Sequence, residues 1–286
     1  MINLSAGLSP STLDAVESLE RRVVAADGGR LKLEWNALRH RSGKDVEDVL
    51  WWEGERLLGF LGIYSHGAPT IELAGMVDPG ARRRGIGAAL LDAGLDLCRQ
   101  REHDSILLVV PRSSVAGRSL AERRDGRLSH SEHALQLLGE PVEAAADPSV
   151  TLRTALPADE AAIRELMRLG FGWEPPESAG PDPSTLVVEQ GGRPIGTARL
   201  LREGDRAGVY GFVVHPDHRG RGIGRDVLHR MCRTALADGA TAVHLEVATD
   251  NDRALNLYTS LGFRPVITED YYALPGWSSR VPPASG

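Results

Sequence analysis

The distribution of apolar and polar residues predicts two successive sets of strands and helices. In the first set, β-branched and aromatic runs bounded by turn residues alternate with apolar residues at helical spacing. Ser11 and Thr12 are suited to cap a first helix that reaches about Val24. The other elements are predicted as strands at 1–4, 48–52, 56–64, 70–77, 105–110 and about 131–138, and as helices at 31–40, 86–98 and from about 113.

The same order of elements begins again after Gly139–Ser149, an acidic stretch of small residues that contains proline. Such a composition is typical of a linker. The expected organisation is an N-terminal domain at 1–140, a linker at 141–149, a C-terminal domain at 150–275 and a flexible tail at 276–286. In the second domain, strands are predicted at 150–153, 185–189, 195–201, 210–214, 242–247 and 263–273, and helices at 158–169, 223–236 and 252–261.

A glycine- and arginine-rich turn stands between a buried strand and a helix in both halves. The first copy is RRRGIG, beginning at Arg82, and the second is RGRGIG, beginning at Arg219. Crowded backbone amides, the positive end of a helix and guanidinium groups together suit a phosphate diester. One such hexapeptide would be a weak signal, but its repetition between equivalent elements indicates an internal duplication.

Composition narrows the functions that these turns can serve. A chain of 286 residues, 42% hydrophobic and 25% charged, fits two globular domains. The net charge of −6 argues against nucleic-acid binding, so we interpret the arginine clusters as local sites. Cys98 and Cys232 lie in apolar helical patterns, which indicates buried thiols in a reducing compartment. The sequence shows no signal peptide and no apolar run of membrane-spanning length, and we expect a soluble, cytoplasmic protein with no membrane partner.

In each half a strand, Val-x-Pro, Arg-x-x-Gly-x-Gly and a helix follow one another, and each half thus resembles a GCN5-related N-acetyltransferase (GNAT) domain. The resemblance covers nearly the whole chain, which would therefore consist of two such domains in tandem. It implies an α/β (α+β) fold in which each domain has a mixed, mostly antiparallel central sheet flanked by helices. It also implies direct transfer of an acetyl group from acetyl-CoA to a primary amine.

By this resemblance the turn binds the pyrophosphate of acetyl-CoA through main-chain amides, and the preceding strand contacts the pantetheine arm and the acetyl carbonyl. In the second half the implied cofactor-binding residues are Phe212, Val213, Val214, Arg219, Gly220, Arg221, Gly222, Ile223, Gly224 and Arg225. In the first half they are Gly75, Met76, Val77, Arg82, Arg83, Arg84, Gly85, Ile86 and Gly87.

The stretch from Leu245 to Phe263 resembles a further signature of this family. It implies that Asn251 and Ala254 contact the cofactor arm and that Tyr258 lies beside the sulfur. Since a leaving thiolate is helped by a nearby proton donor, Tyr258 is our candidate general acid. Glu246 is the candidate base, because its spacing from Tyr258 resembles that in ribosomal-protein alanine N-acetyltransferases. An exposed edge position would explain this glutamate equally well.

The two halves are unequal in these chemical groups. When the first half is overlaid on the second-half signature, Ala121 falls against Tyr258 and Ser114 falls against Asn251. The first half keeps the phosphate turn but lacks the candidate acid and the asparagine. We therefore predict that the C-terminal copy is the enzyme and that the N-terminal copy binds acetyl-CoA weakly or serves the structure.

The acceptor is expected to be a small-molecule or peptide amine that enters beside the loop 171–183. Trp173 and Glu174 of this loop and Tyr272 of the last strand are the candidate substrate-binding residues. Two other interpretations stay open. The tandem arrangement also resembles mycothiol synthases, which acetylate the cysteinyl amine of the mycothiol precursor, although Gly208 stands where those enzymes carry a substrate-binding glutamate. Alternatively, the chain binds acetyl-CoA as a non-catalytic sensor.

Overall fold

The computed structural model describes residues 1–65, 70–101, 103–173 and 180–276. The chain forms two compact units. The first unit contains residues 1–131 and, of the described residues, also 267–276, whereas the second contains residues 132–266. Among the helices of these described ranges, none is both long and apolar enough to cross a membrane.

The elements are numbered in chain order. The helices are α1 (Pro10–Asp27), α2 (Trp35–Arg39), α3 (Ile86–Cys98), α4 (Val115–Glu122), α5 (Glu160–Phe171), α6 (Ile223–Ala237) and α7 (Asp252–Ser260). The strands are β1 (Ile2–Ser5), β2 (Asp48–Glu53), β3 (Arg56–Ser65), β4 (Thr70–Val77), β5 (Ser105–Pro111), β6 (Arg127–Leu138), β7 (Val150–Thr154), β8 (Thr185–Gln190), β9 (Arg193–Glu203), β10 (Arg206–Val214), β11 (Ala242–Ala248) and β12 (Arg264–Ala273).

The sheet of the first unit has the order β1-β2-β3-β4-β5-β12. Neighbouring strands are antiparallel except β4 and β5, which are parallel. A parallel pair requires a crossover connection, and α3 supplies it. The last strand is contributed by the far end of the sequence, since Glu269–Ala273 pairs with β5.

Both faces of this sheet are covered. Leu73 of β4 packs with Leu90 and Leu91 of α3 on one face. Ala74, the next residue, packs with Val16 and Leu19 of α1 on the other. This alternation follows from the two-residue period of a strand. Full burial of a leucine stabilises a fold by about 1.5–3 kcal/mol, so these helices hold the sheet from both sides.

The sheet of the second unit has the order β6-β11-β10-β9-β8-β7. Only β10 and β11 are parallel neighbours in it, and α6 forms their crossover. Residues 132–138 of β6 pair with β11. Val227, Met231 and Cys232 of α6 pack on Val243 and Leu245 of β11 in one hydrophobic core.

The segment 139–149 contains no helix or strand and is fastened to the second unit. Val142 N–H donates to the Leu261 carbonyl at 3.0 Å, and Asp147 N–H donates to Asp226 Oδ2 at 3.1 Å. Arg230, one turn further along α6, forms an ion pair with the buried Asp226 carboxylate and donates to the Asp147 carbonyl at 3.1 Å. The expected linker is therefore packed against α6 of the second unit.

Most predicted elements occur within a few residues of their expected positions, and three differences are informative. Ser9 caps α1, because its Oγ accepts from Thr12 N–H at 3.2 Å and Pro10 suits the first helical position. The weak helical stretch at 31–40 shortens to α2. The compact units divide the chain at 131 and 266, because β12 pairs with β5 of the first unit, whereas the sequence placed the boundaries at 140 and 275.

Candidate functional site

β10 and β11 are hydrogen-bonded neighbours for only part of their length. Their parallel pairing ends at Gly208 and His244. Beyond these residues β10 continues to Val214 and β11 to Ala248. The facing edges of the two strands therefore carry peptide groups that the ladder between them does not satisfy, which is an arrangement that can hydrogen-bond an extended ligand.

A β-bulge occurs in the same stretch of β10. The register against β9 shifts between Tyr210 and Val213, and Gly211 between them has a φ of +56°. Glycine adopts a positive φ readily, and the extra residue changes which face the following side chains occupy. Val209 before the bulge and Phe212 after it consequently pack on the same α6 core, although three positions separate them.

The bulged strand is held from the other face by α5. A Cβ at Gly170 of α5 would lie 2.3 Å from Val213 Cγ2, and a Cβ at Gly211 would lie 3.5 Å from the Met167 sulfur. Gly170 thus allows α5 to approach β10 closely. This packing places α5 directly against the bulged part of β10.

The Gly-Arg turn of the second unit joins β10 to α6. Gly220 and Gly222 have φ values of +79° and +83°, and Gly222 is the N-cap of α6. Arg219 Nε donates to the Val214 carbonyl at 2.8 Å, which ties the turn to the end of the strand. The first amides of a helix have no partner within the helix, so the turn presents donors at the positive end of the α6 dipole.

Positive charge is concentrated at this turn. Burial and the nearby charge of Arg253 lower the pKa of Arg219. Arg225 donates to the Ser260 carbonyl at 3.1 Å and so connects α6 to α7, and Arg221 is exposed. Two guanidinium groups that raise each other's energy favour an anion between them. Ile223, in contrast, is buried in the core and anchors the helix.

α7 lies on the α6 face of the sheet and carries two of the predicted residues. Asn251 is the N-cap, and its Oδ1 accepts from Ala254 N–H at 3.0 Å. Tyr258 is 8% exposed and packs on Phe263, with ring centroids 6.2 Å apart. Burial raises the pKa of Tyr258 to about 12. The phenol is therefore protonated at neutral pH and able to donate a proton.

Glu246 lies on the opposite face of the sheet from Tyr258. Its neighbours Leu245 and Val247 pack in the α6 core, so strand alternation directs Glu246 away from that core. Glu246 is half-buried and faces Ala134 of β6 across the ladder. The candidate acid and the candidate base thus lie on the two sides of the sheet, and Glu246 belongs to the part of β11 beyond its pairing with β10.

A polar cluster that the sequence analysis missed shares this face with Glu246. Tyr210 Oη donates to Glu203 Oε1 at 2.5 Å and lies 3.2 Å from His244 Nε2. Glu203 Oε2 lies 3.3 Å from the same imidazole nitrogen. The three residues come from β9, β10 and β11, so only the strand order brings them together. The sequence signal that could have revealed this cluster was the presence of polar residues at alternate positions of otherwise apolar strands.

Gly208 has a steric role next to this cluster. A Cβ at Gly208 would lie 2.4 Å from the Tyr210 ring, because the two residues share one face of β10. The ring of Tyr210 thus fills the space in which a side chain at position 208 would lie. This position can accept a carboxylate only if Tyr210 moves.

The first unit repeats the backbone of the site. Gly85 is the N-cap of α3 with a φ of +81°, and Arg82 Nε donates to the Val77 carbonyl at 3.3 Å. The parallel pairing of β4 and β5 ends at Leu73 and Leu108, so these strands also separate. β4, however, pairs with β3 without a register shift, and it has no bulge.

The overlay of Ser114 on Asn251 agrees with the geometry. Ser114 is the N-cap of α4, and its Oγ accepts from Gly117 N–H at 3.1 Å, three residues later, as Asn251 does with Ala254. The residue seven positions after the N-cap is the fully buried Ala121 in α4 and Tyr258 in α7. The first unit therefore has a methyl group where the second has a phenol.

The charge of the first turn is compensated within the unit. Arg82 donates through both terminal nitrogens to Asp27 at the end of α1, at 2.8 and 2.6 Å. The hydrogen bonds to Asp27 raise the pKa of Arg82. Arg84 pairs with Glu53. Arg83 has a φ of +64°, which is unusual for a residue with a side chain.

A cavity of about 800 Å³ lies in the first unit at this turn. It reaches from the α3 core to the α1 core, because residues of both cores, such as Leu90 and Phe60, line it. Asp27 also lines it. The predicted first-half residues in its wall are Gly75, Met76, Val77, Arg82, Arg83, Gly85, Ile86 and Gly87. Its size is that of a site for a large cofactor.

Two of the three predicted acceptor residues lie among the described residues, one in each unit. Trp173 is half-buried and follows α5, which ends at Phe171 with Gly172 as its C-cap. Glu174 lies outside the described residues. Tyr272 belongs to the first unit, where it is buried in the α3 core, because the end of β12 pairs with β5. Burial raises the pKa of Tyr272.

Comparison with known proteins assigns these features to a family. The model of the "Acetyltransferase (GNAT) family" matches residues 15–125 and 154–263. The chain belongs to this family. An acetyltransferase of Pectobacterium atrosepticum is 36% identical over 81 residues, which is 28% of this chain and 57% of that protein.

Solved GNAT structures share the fold over nearly the whole chain. A GCN5-related N-acetyltransferase from Sphaerobacter thermophilus superimposes with a TM-score of 0.77 at 21% identity, with 96% of each chain covered. A tandem GNAT protein from the clavulanic acid biosynthesis pathway superimposes with a TM-score of 0.64 at 18% identity, covering 96% of this chain and 98% of its own. At these identities the likeness establishes a tandem GNAT fold.

Proposed function

We propose that the second unit transfers the acetyl group of acetyl-CoA to a primary amine by direct transfer. The observation that carries this proposal is the bulged gap between β10 and β11, with Tyr258 on one side of the sheet and Glu246 on the other. The family to which the chain belongs generally uses acetyl-CoA, and the second turn has the donors and positive charge that its pyrophosphate requires.

The residues around the turn fit this donor. Gly220 and Gly222 hold the backbone conformation that exposes the amides of the turn, and Arg219 with Arg253 supplies the charge. A Cβ at Gly224 would meet only ordinary contacts, the nearest being Leu257 Cδ2 at 3.5 Å. The glycine is therefore not needed for packing, which supports its use for close approach of a phosphate group.

In the proposed reaction Glu246 accepts a proton from the acceptor ammonium, and the amine nitrogen then attacks the thioester carbonyl carbon. The C–N bond forms, the C–S bond breaks, and Tyr258 gives a proton to the departing thiolate. The second proton that the nitrogen loses passes through solvent and restores the Tyr258 phenol. The pKa of about 12 that burial gives Tyr258 keeps this proton on the phenol until the thiolate develops. Proton transfer of this kind contributes about 10²–10⁴-fold to a rate.

The acceptor is proposed to be a cationic small-molecule or peptide amine. Glu246 and Glu203 place carboxylates on the acceptor face, and Tyr210 and His244 add hydrogen-bonding groups. An ammonium group is attracted to such a face before it is deprotonated. The Tyr210 ring against Gly208 argues against the mycothiol precursor, because the site lacks the glutamate of mycothiol synthases and has no space for it.

We propose further that the first unit binds a second molecule of acetyl-CoA in its cavity and does not acetylate an external amine. The 800 Å³ cavity at the first turn supports binding. Ala121 at the place of Tyr258 argues against efficient release of a thiolate there. This assignment retains one part of the sensor interpretation, a cofactor-binding unit that does not acetylate an external amine.

Two matched glycines test which unit reacts. Gly87 and Gly224 occupy equivalent helix positions, and in both a Cβ meets neighbours at ordinary distances of 3.5–3.8 Å. An aspartate there would place a carboxylate against the phosphates, while the first turn of a helix tolerates it. Gly224→Asp should abolish turnover with a panel of amines, and Gly87→Asp should preserve it. Titration calorimetry on the full chain should give two acetyl-CoA sites, and one in each variant. Loss of turnover in Gly87→Asp alone would place the reaction in the first unit.

A further inference from the structure

Lysine is almost absent from this chain. The sequence has only two lysines, Lys32 and Lys44, among its 33 basic residues other than histidine. Lys44 is exposed, whereas the side chain of Lys32 is only 10% exposed. A buried ammonium is costly unless charged and polar groups surround it, so the environment of Lys32 requires an explanation.

Glu72 and Tyr271 of the first unit contact the Lys32 ammonium. Lys32 Nζ donates to Tyr271 Oη at 2.5 Å and lies 3.4 Å from Glu72 Oε2. The Tyr271 ring is itself buried and stacks on His130, with ring centroids 4.3 Å apart. The ammonium is thus held between a carboxylate on β4 and a phenol on β12.

This position is next to the gap between β4 and β5. Glu72 precedes Leu73, the last residue of β4 that pairs with β5, and Tyr271 pairs with Val109 of β5. Glu72 shares the α1 face of β4 with Ala74, by strand alternation. Lys32 therefore lies on the face of the first unit that corresponds to the acceptor face of the second.

The space beside Lys32 adjoins the large cavity but is nearly full. Lys32, Leu33, Ala74 and Glu269 line a niche of about 10 Å³. Its remaining lining residues, Leu31, Gly75, Val109 and Pro111, also line the 800 Å³ cavity. A niche of this size holds about one water molecule, so the niche itself has no room for an external amine beside Lys32. The amine that lines it is the chain's own Lys32.

We propose that Lys32 is a self-acetylation site, with the first unit as the acetylating unit and its own side chain as the acceptor. This inference rests on the proposed binding of acetyl-CoA in the first cavity. Glu72 accepts one proton from the Lys32 ammonium, and the Nζ lone pair attacks the thioester carbonyl. The N–C bond forms and the C–S bond breaks. The thiolate takes one of the two protons that the nitrogen loses, and the other passes to solvent.

The reaction occurs once per chain and stops, because an acetylated Lys32 cannot leave the unit. It requires no tyrosine at the place of Ala121, since a single slow turnover does not depend on fast release of the thiolate. The product loses the positive charge beside Glu72. Because the chain has only two lysines, the exposed Lys44 is an internal control for the modification of Lys32.

The test is peptide mapping by mass spectrometry of the full chain after incubation with isotopically labelled acetyl-CoA. We expect the label at Lys32, at a rate that does not depend on protein concentration, and little label at the exposed Lys44. Lys32→Arg should remove the label, whereas Lys44→Arg should leave it unchanged. Glu72→Gln should slow labelling by on the order of 10²-fold, because it removes the base. Tyr258→Phe in the second unit should leave labelling unchanged.

The outcomes separate this inference from the proposed function. An unlabelled Lys32 in a chain that binds two molecules of acetyl-CoA would overturn self-acetylation and leave cofactor binding intact. Labelling of Lys32 that persists at the same rate in Gly87→Asp would show a different acetyl source and also overturn it. Faster labelling of Lys44 than of Lys32 would indicate simple chemical acetylation. A single acetyl-CoA site that Gly87→Asp does not affect would remove the basis of both proposals for the first unit.

Discussion

Arg82 and Asp27 form a two-point ion pair across 55 residues of sequence, at 2.6 and 2.8 Å. The equivalent arginine of the second turn, Arg219, has another arginine, Arg253, as its charged neighbour. Two turns of nearly identical sequence therefore differ in charge where a phosphate would bind. Ion pairs within the first unit compensate Arg82 and Arg84, whereas no such pair is found for Arg219 among the residues that the structure describes.

Replacing Asp27 should strengthen acetyl-CoA binding in the first unit. In Asp27→Asn the carboxylate no longer repels the phosphates or occupies Arg82, so we expect the Kd to fall about tenfold, or about 1.4 kcal/mol. Calorimetry on a Gly224→Asp background reports the first unit alone. Asp14→Asn, an exposed change on the same helix, is the control. Weaker binding in Asp27→Asn would mean that Asp27 orients Arg82 for the ligand.

Tyr258→Phe should lower kcat about 10²-fold with little change in acetyl-CoA affinity, because only the proton donor is lost. In the wild type, kcat should not fall as the pH rises through 10, the ordinary tyrosine value, since burial raises the pKa of Tyr258 to about 12.

The raised pKa of Tyr258 also determines how the stability of the folded chain depends on pH, which is the control for this measurement. Because the folded-state pKa exceeds the unfolded value, the stability linked to this phenol is constant below pH 10 and decreases as the pH rises towards 12. Circular dichroism at each pH identifies the folded range. A titration of kcat near pH 10 within that range would argue that Tyr258 is not the acid.

Gly220→Ala should destabilise the second unit by about 1 kcal/mol, because its φ of +79° is unfavourable for a residue with a side chain. No atom lies within 4 Å of the new Cβ, so the effect comes from the backbone alone. Arg83→Ala, at the matching position of the first turn, should be nearly neutral, since Arg83 already has a φ of +64°. Thermal unfolding measures both, and equal losses would contradict this explanation.

Neither cysteine should react with a thiol reagent in the native protein. Cys98 and Cys232 are fully buried, and burial raises their pKa values to about 11 and about 12. The thiolate is the reactive form, so both inaccessibility and pKa suppress the reaction. Labelling should therefore report unfolding of the first unit at Cys98 and of the second at Cys232. Acetyl-CoA should slow labelling at Cys98 in Gly224→Asp and at Cys232 in Gly87→Asp. Rapid labelling of either cysteine in the native chain would contradict the prediction that both are unreactive.

Local sequence patterns were sufficient to predict most helices and strands and to compare the two halves. The N-cap bonds of Ser114 and Asn251 agree with the overlay made from sequence, because capping depends on residues only three positions apart. The bulge at Gly211 was not predicted, although a glycine inside a strand is a signal for one.

The features that sequence did not predict depend on long-range contacts. Periodicity identifies β12 as a strand but not its neighbour, and its pairing with β5 moved Tyr272 into the first unit. Asp27 and Lys32 lie in or after α1 and meet partners on the turn, β4 and β12. No spacing rule connects residues so far apart, so their roles required the structure.

The membership of β12 in the first unit has a consequence for synthesis on the ribosome. The chain emerges from its N-terminus, so residues 1–131 are made long before residues 267–273. Until the last strand emerges, the edge of β5 that β12 covers is open, and the second unit has all of its own strands first. The unit that begins the chain is therefore the last to complete its sheet. A break in the chain after residue 266 would leave the second unit's strands present and the first unit's sheet one strand short.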